Sequence, residues 1–266
     1  MNLRVEVYAA ARKKQWDEFI RQSKNGTFLF LRDYLEYHAD RFTDHSLLFF
    51  DTDTLIGLLP ANIQETKLVS HGGLTYGGVV SNERMSASKM LALFDALIPY
   101  LQTRGITQLI YKAIPHIYHT IPAEEDLYAL YRHNARLIRR DVSSTLDRRA
   151  PVKLSKGRRW SLKRAKKSEL VIRASVDYET FMTIEAHVLQ TRHGVKPVHT
   201  AAEIAMLAHR FSQNIELYAA FRDERMLAGV IMYVSTNVAH AQYISASDEG
   251  RECGALDLIL DHLINE

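Results

Sequence analysis

A ten-residue stretch in the second half of the chain groups side chains that could do chemistry. Residues 191–200, TRHGVKPVHT, contain two imidazoles, two cations, a glycine and a proline. They directly precede a predicted helix, whose start is marked by a capping box of Thr200 and Glu203. Loops on rigid scaffolds tend to carry binding groups, and a helix N-terminus favours an anion. We therefore expect a binding segment here, with an ordinary polar connection as the alternative.

A second stretch, residues 242–256 (QYISASDEGRECGAL), is predicted to run from a strand through a short loop into a helix. Such a junction can cradle a pyrophosphate on backbone N–H groups. Arg251 and Gly254 resemble part of the Arg/Gln-x-x-Gly-x-Gly/Ala signature of GCN5-related N-acetyltransferases (GNAT proteins), although Leu256 occupies the last small position. The element order before it, three consecutive strands, agrees with that resemblance.

Other features are open to two interpretations. The glycine-rich stretch SHGGLTYGGVV (70–80) predicts close backbone approach, or else a pocket lined by peptide N–H groups and Tyr76. The twelve histidines include pairs three and six residues apart, His116 with His119 and His193 with His199. Neither pair has carboxylates or thiols at ligand spacing, so we expect no metal. Dinucleotide, phosphate-loop, nucleophile-elbow and zincin motifs are absent from the sequence.

Composition narrows the class of protein. With 266 residues, 47% hydrophobic and 24% charged, the chain can bury a sizeable core and is not disordered. It has no apolar run of about 20 residues, no secretory signal pattern and a single cysteine, Cys253. We therefore expect a soluble, cytoplasmic protein without a disulfide.

Charge is nearly balanced at +3, but its distribution is uneven. Eight bases and no acid lie between Lys153 and Lys167. Such a segment could meet phosphates, anionic lipid or acidic sugars. The alternative is a solvated helix or linker.

The order of predicted elements is similar in the two halves. The first half combines helices, a hairpin, the glycine-rich stretch, a helix, a strand at 106–114 and a further helix. The second has a strand at 170–176, helices at 178–190 and 200–211, strands at 215–221, 226–234 and 238–246, and a final helix after Gly254. This predicts an α/β (α+β) fold of two related units, each with a mixed sheet flanked by helices. We place the domains at 1–150 and 169–266, with a basic connection at 151–168.

The second unit lacks a strand after its last helix, so we expect it to be incomplete at its C-terminus. The apolar face of that helix then needs a cover, for which a second copy of the chain is one candidate.

Several motifs together resemble FemAB-like members of the GNAT superfamily, which are associated with bacterial cell-envelope polysaccharide or peptidoglycan assembly. They are SHGGLTYGG (70–78), KAIPHIYH (112–119), PAEEDLY (122–128), RDVSS (140–144), HGVKPVHT (193–200) and GALD (254–257). The resemblance spans about residues 20 to 264. It implies two GNAT-like units, and relatives continue past the final helix through further strands.

The resemblance implies an N-acyltransferase that moves an acyl group from acetyl-CoA or another acyl-CoA to an amine on a sugar or peptide precursor. One alternative is an aminoacyl-tRNA-dependent transferase, which the basic segment Lys153–Lys167 would suit. Another is a non-enzymatic binding protein. A cytoplasmic enzyme of this kind could also be peripheral at the inner face of the membrane.

The resemblance implies a set of candidate site residues. His193 is the first choice for general base or amine contact, because imidazole titrates near neutral pH. Tyr243 is a candidate proton donor to the leaving thiolate, with a core aromatic as its alternative. Donor-binding candidates are Ser245, Gly250, Arg251, Gly254 and Ala255. Acceptor-binding candidates are Tyr76, Lys112, Tyr118, His119, Lys196 and His199.

Overall fold

The computed structural model of the chain describes residues 2–150 and 153–265. The chain divides into two compact units. Unit 1 comprises Met1–Arg139 with Ser235–Val238, and unit 2 comprises Arg140–Val234 with Ala239–Glu266.

Unit 1 contains two four-stranded sheets and four α-helices among its described residues. Its strands are β1 (Leu3–Val7), β2 (Thr43–Asp44), β3 (Leu47–Asp51), β4 (Thr54–Leu59), β5 (Asn62–Gln64), β6 (Lys67–Val69), β7 (Val80–Ser81) and β8 (Gln108–Ile110). Its helices are α1 (Lys13–Gln22), α2 (Arg32–Leu35), α3 (Ala87–Thr103) and α4 (Glu125–Arg132). One sheet has the order β1-β3-β4-β7 and is antiparallel, and the other has the order β2-β5-β6-β8 and is mixed, because β6 and β8 are parallel.

The core of unit 1 forms where the sequence predicts it. Met90, Phe94 and Leu97 recur at helical spacing in α3 and are buried against β3 and β4. The Ser86 side chain caps the start of α3, and Gly105 follows its end with a left-handed φ of 68°. The strand predicted over 106–114 is shorter than expected, because the chain leaves the sheet after Ile110.

Unit 2 contains one four-stranded sheet and five helices in the part of it that is described. Its strands are β9 (Val171–Ser175), β10 (Ile215–Arg222), β11 (Arg225–Val234) and β12 (Ala239–Ala246). Its helices are α5 (Lys156–Ala165), α6 (Tyr178–His193), α7 (Ala201–Arg210), α8 (Asp248–Cys253) and α9 (Ala255–Asn265). The predicted capping box at the start of α7 is present.

The sheet of unit 2, in the order β12-β11-β10-β9, is antiparallel throughout its described strands, whereas we expected a mixed sheet. The connections explain the difference. Residues 223–224 and 235–238 join β10, β11 and β12, and such short links allow only antiparallel pairing.

The two faces of this sheet are covered by different helices. On one face Ala228, Val230 and Met232 form a core with Ala255 and Ile259 of α9. The apolar face of the final helix, for which we considered a second chain, is therefore covered by the sheet of its own unit. The opposite face packs against α6, as the next subsection describes.

Helix α5 forms within the basic segment, and all eight cationic side chains between Lys153 and Lys167 are exposed. Its inner side packs on α9, where Ser161 Oγ donates to Asp257 Oδ2 at 2.6 Å. Two of the cations also reach α9. Arg158 pairs with Asp257 at 2.6 Å and Lys166 with Asp261 at 2.9 Å.

Candidate active site

The centre of the candidate site is a buried contact between Tyr243 and His199. Tyr243 lies on β12, and His199 directly precedes the N-cap of α7. The Tyr243 hydroxyl is 2.5 Å from Nδ1 of His199, and both residues are buried. Burial raises the pKa of Tyr243 to about 12, although a hydrogen bond with the His199 backbone lowers this pKa. The hydroxyl keeps its proton at neutral pH, so Tyr243 donates to Nδ1 in the tautomer of His199 whose Nδ1 carries no proton.

Ser245 shares a face of β12 with Tyr243, because side chains two apart on a strand point the same way. Tyr243 lies opposite Ile231 of β11, and Ser245 lies opposite Gly229. Helix α6 approaches this face very closely at Gly229, where an added Cβ would stand 2.5 Å from the Phe181 ring. A glycine is therefore needed at this position.

Glu185 follows Phe181 by one helical turn and so faces the same sheet surface. It is buried, with 7% exposure. Burial raises the pKa of the Glu185 carboxyl, and the nearby Ser245 hydroxyl opposes that rise. Glu185 was not among the candidates predicted from the sequence. The sequence feature that could have identified Glu185 is its position four residues after Phe181, on the apolar side of α6.

Strand β12 carries a bulge next to Tyr243. Tyr243 pairs with Ile231 and Ala241 with Met232, so Gln242 is an extra residue in β12. A bulge takes backbone groups out of the regular ladder. A backbone N–H released in this way can polarise an acyl carbonyl.

Two of the predicted residues in this region, His193 and Lys196, are exposed, whereas Tyr243 is buried. His193 is the last residue of α6, and Gly194 ends the helix with a left-handed φ of 65°. The imidazole that the structure brings to Tyr243 is that of His199, which we expected in acceptor binding.

The predicted donor loop between β12 and the final helix is itself helical. Ser247 caps α8, because its Oγ accepts from Gly250 N at 3.1 Å. Arg251 N donates to Ser247 O at 2.9 Å, and Gly254 N donates to Arg251 O at 3.2 Å. These three amides, on which we expected a pyrophosphate to rest, are therefore engaged within the chain.

The donor candidates also have structural roles. An added Cβ at Gly250 would stand 2.3 Å from Leu227 O, and Gly254 joins α8 to α9 with a left-handed φ of 77°. The Arg251 guanidinium bonds Ala246 O and pairs with Asp248. Ala255 is buried in the α9 core. A part in donor binding stays a prediction for these residues and for Ser245.

In unit 1 the structure brings Tyr76 and Tyr118 together, with ring centroids 4.5 Å apart. The Tyr76 hydroxyl donates to Thr27 Oγ1 at 3.2 Å, and burial raises the pKa of Tyr76. Both tyrosines are buried. His119 follows Tyr118 directly, and burial lowers the pKa of its half-buried imidazole. A part in acceptor binding stays a prediction for all three.

Lys112, the remaining acceptor candidate of unit 1, supports the glycine-rich stretch. Its ammonium donates to Leu74 O, and its backbone N–H donates to Ser70 Oγ at 2.6 Å. Burial lowers the pKa of Lys112. An added Cβ at Gly77 would stand 1.9 Å from Ser70 O, so close backbone approach accounts for this glycine.

The described residues also show neither a metal cluster nor a membrane-spanning helix. Within residues 2–150 and 153–265, no group of three or more His, Cys, Asp or Glu side chains is arranged to hold a metal ion. No helix in the same part of the chain has both the length and the apolar character needed to cross a membrane.

Comparison with known proteins agrees with this geometry. The family model described as "Acetyltransferase (GNAT) domain" matches residues 147–266. The second half of the chain is therefore similar to GNAT acetyltransferase domains. Strand β12, with the bulge and Tyr243, and helices α6 to α9 lie inside the matched region, which supports an acyltransferase enzyme.

Solved structures extend the likeness over both units. FemX is similar over 98% of this chain and 85% of its own, with a TM-score of 0.59 and 10% identity. The C-terminal domain (DUF2156) described as that of a lysylphosphatidylglycerol synthetase from Agrobacterium fabrum covers 96% of this chain, which spans 74% of it, with a TM-score of 0.55 and 11% identity. No match was found among curated protein sequences.

These findings confirm the FemAB-like GNAT resemblance and the α/β fold class predicted from the sequence. The identities are low, so the two solved structures speak for the fold. The donor and the acceptor are matters for the proposal below.

Proposed function

We propose that the GNAT domain transfers an acyl group from acetyl-CoA or another acyl-CoA to an amine on a sugar or peptide precursor of the cell envelope. The observation that carries this proposal is the buried hydrogen bond between Tyr243 and His199 beside the bulge at Gln242. It sets a protonated hydroxyl next to backbone that can polarise a carbonyl.

The chemistry assigns a part to each group. The amine nitrogen attacks the thioester carbonyl, whose developing negative charge a backbone N–H at the bulge stabilises. The C–S bond then breaks, and the thiolate takes the proton of Tyr243. The nitrogen loses a proton as the amide forms, and that proton restores Tyr243. His199 holds the hydroxyl in position through Nδ1.

An aminoacyl-tRNA donor is the second candidate, and the exposed cations of α5 favour it. Of the eight cations between Lys153 and Lys167, six pair with no acidic side chain among the described residues of α9: Lys153, Lys156, Arg159, Lys163, Arg164 and Lys167. Trp160 stands among them with 64% of its surface exposed. Cations attract phosphates, and an exposed indole can stack on an unpaired base.

Ligand-dependent melting distinguishes the donors. A ligand that binds only the folded state raises the melting temperature, and the size of the rise follows its concentration over Kd. We expect acetyl-CoA and CoA to stabilise the protein, and deacylated tRNA, which would meet only exposed cations, to stabilise it much less. Stabilisation by tRNA alone would support the second candidate. Stabilisation by neither, together with no thiol release from acetyl-CoA in the presence of amines, would indicate a non-enzymatic protein.

A further inference from the structure

We propose that Glu185 and Ser245 form the subsite for the protonated amine of the acceptor, and that Glu185 removes the proton which the ammonium must lose before it attacks. This inference rests on the proposed acyl transfer. It adds the residue that accepts the proton and the positive charge with which the acceptor amine binds.

The first argument is position. Glu185 projects from α6 onto the sheet face that carries Tyr243 and Ser245. Ser245 is buried, and its Oγ has no hydrogen-bond partner among the described residues. Gly229 allows this approach, because the Phe181 ring occupies the space that any larger side chain would need. A carboxylate, a serine hydroxyl and the proposed proton donor therefore share one buried surface next to the bulge at Gln242.

The second argument is charge. Glu185 makes no ion pair among residues 2–150 and 153–265. The polar groups that face it from β12 are the hydroxyls of Ser245 and Tyr243, and neither carries a positive charge. Burying an unpaired carboxylate costs stability. A cationic ligand would supply the missing partner, and the ammonium form of an amine is the substrate cation in acyl transfer.

The proton balance is complete. The ammonium gives one proton to the Glu185 carboxylate and becomes a neutral amine, which attacks the acyl carbon. The nitrogen loses a second proton as the amide forms, and this proton replaces the one that Tyr243 gives to the thiolate. Glu185 then returns its proton to solvent. Burial raises the pKa of Glu185, which makes the carboxylate a better base near neutral pH.

The first arm of the test uses Glu185→Gln, with Glu179→Gln on the exposed side of the same helix as the matched control. Thiol release from acetyl-CoA is followed with primary alkylamines and amino sugars, which are protonated at pH 7, and with an arylamine, which is neutral there. We expect Glu185→Gln to lower kcat/KM for the protonated amines at least about 100-fold. The deficit should shrink as the pH approaches the pKa of the amine. Rates with the arylamine should stay within about threefold.

The second arm measures stability against pH. Because the folded state raises the pKa of Glu185 above its ordinary value of 4.5, its contribution to stability is complete below that value and is lost as the pH rises through the folded pKa. Glu185→Gln should therefore melt at a higher temperature than the wild type at pH 8, and the difference should shrink towards pH 4. Glu179→Gln should show no such trend.

The outcomes separate the two proposals. Wild-type turnover that Glu185→Gln leaves unchanged overturns this inference alone, as does an equal loss with protonated and neutral amines. A wild type that neither binds acetyl-CoA nor releases thiol with any amine overturns the proposed function and this inference with it.

Discussion

The Tyr243 hydroxyl and Nδ1 of His199 lie 2.5 Å apart inside unit 2. This contact ties strand β12 to the residue that precedes the N-cap of α7, across 44 positions of sequence. The contact fixes the position of the hydroxyl, and burial keeps it protonated because burial disfavours the phenolate. A positioned proton donor of this kind is what departure of a thiolate requires.

Removal of that hydroxyl should affect catalysis more than folding. We expect Tyr243→Phe to lower the rate of acyl transfer at least about 100-fold. It should lower the free energy of unfolding by about 1–3 kcal/mol, because His199 loses a buried hydrogen bond. Thiol release and urea denaturation measure the two effects. The control is Tyr218→Phe, whose hydroxyl contacts Glu216 and whose ring lies on the α9 face. Equal activity of the two variants would exclude Tyr243 as the proton donor.

Titration should distinguish Tyr243 from exposed tyrosines. With a pKa of about 12 against an ordinary 10, this group adds stability that is complete below pH 10 and lost as the pH rises through about 12. Absorbance of tyrosinate should therefore show one fewer late-titrating group in Tyr243→Phe than in the wild type. The rate of transfer should not decline through tyrosine ionisation up to pH 10. A decline at lower pH that Tyr243→Phe abolishes would contradict the assigned role.

The cations in and next to α5 that do not pair with α9, here called the outer cations, allow a test of polyanion binding. Their replacement should leave the fold intact. Replacement of Lys156, Arg159, Lys163 and Lys167 by Glu should reduce retention on tRNA or heparin, because these side chains are exposed. Retention by the wild type should also weaken as salt is added. Unchanged retention in the variant would mean that the cationic face is only solvated.

The inner cations of the same helix provide the contrast. Arg158 and Lys166 pair with Asp257 and Asp261 of α9, so their replacement by Glu would set like charges against each other. We expect the double variant to melt at a lower temperature than the wild type. The variant of the outer cations should melt within a few degrees of it. Equal melting of both variants would show that the pairs with α9 contribute nothing.

The elements of unit 2 could be predicted because local signals agree with tertiary structure there. Apolar runs with short polar connections indicated β10, β11 and β12, and Thr200 with Glu203 indicated the start of α7. Helix α8 has only six residues and contains Gly250, so apolar periodicity could not reveal it. Its remaining signal was Ser247 as N-cap, followed by two acids in the first turn.

The site itself depended on packing that sequence does not encode locally. His193 and His199 lie in one polar stretch, and only the fold decides which imidazole meets Tyr243. Glu185 interrupts an apolar helix face, where a charged residue is usually taken as exposed. The antiparallel direction of β10, β11 and β12 follows from the short connections between them, whose lengths can be read from the sequence.

A buried ion pair in unit 1 gives a prediction about stability alone. Lys24 is buried and its Nζ lies 2.5 Å from Glu125 Oε1. Lys24→Met should lower the free energy of unfolding by about 3–5 kcal/mol, because it leaves the carboxylate without its cation. Lys24→Met with Glu125→Leu should be less destabilised than Lys24→Met alone. A double variant that is less stable than the single variant would contradict this, as denaturant melts can show.

Gly254 allows the structural and donor-binding roles of the junction before α9 to be separated. Its φ of 77° disfavours any side chain, and an added Cβ would stand 3.1 Å from Ala165 of α5. Gly194 has a similar φ of 65° but nothing within 4 Å of an added Cβ. Gly194→Ala should therefore cost only the backbone term of about 1–2 kcal/mol. Gly254→Ala should cost more, because α5 must also move.

A compensating variant and a binding measurement complete this test. Ala165→Gly combined with Gly254→Ala should recover part of the loss, since it removes the methyl group that the new Cβ meets. Calorimetry with acetyl-CoA is then done on Gly254→Ala at a temperature where circular dichroism shows it folded. An affinity more than tenfold weaker than that of the wild type, about 1.4 kcal/mol, would favour a donor phosphate against this backbone. Unchanged affinity would leave Gly254 with the helix-joining role that its geometry already explains.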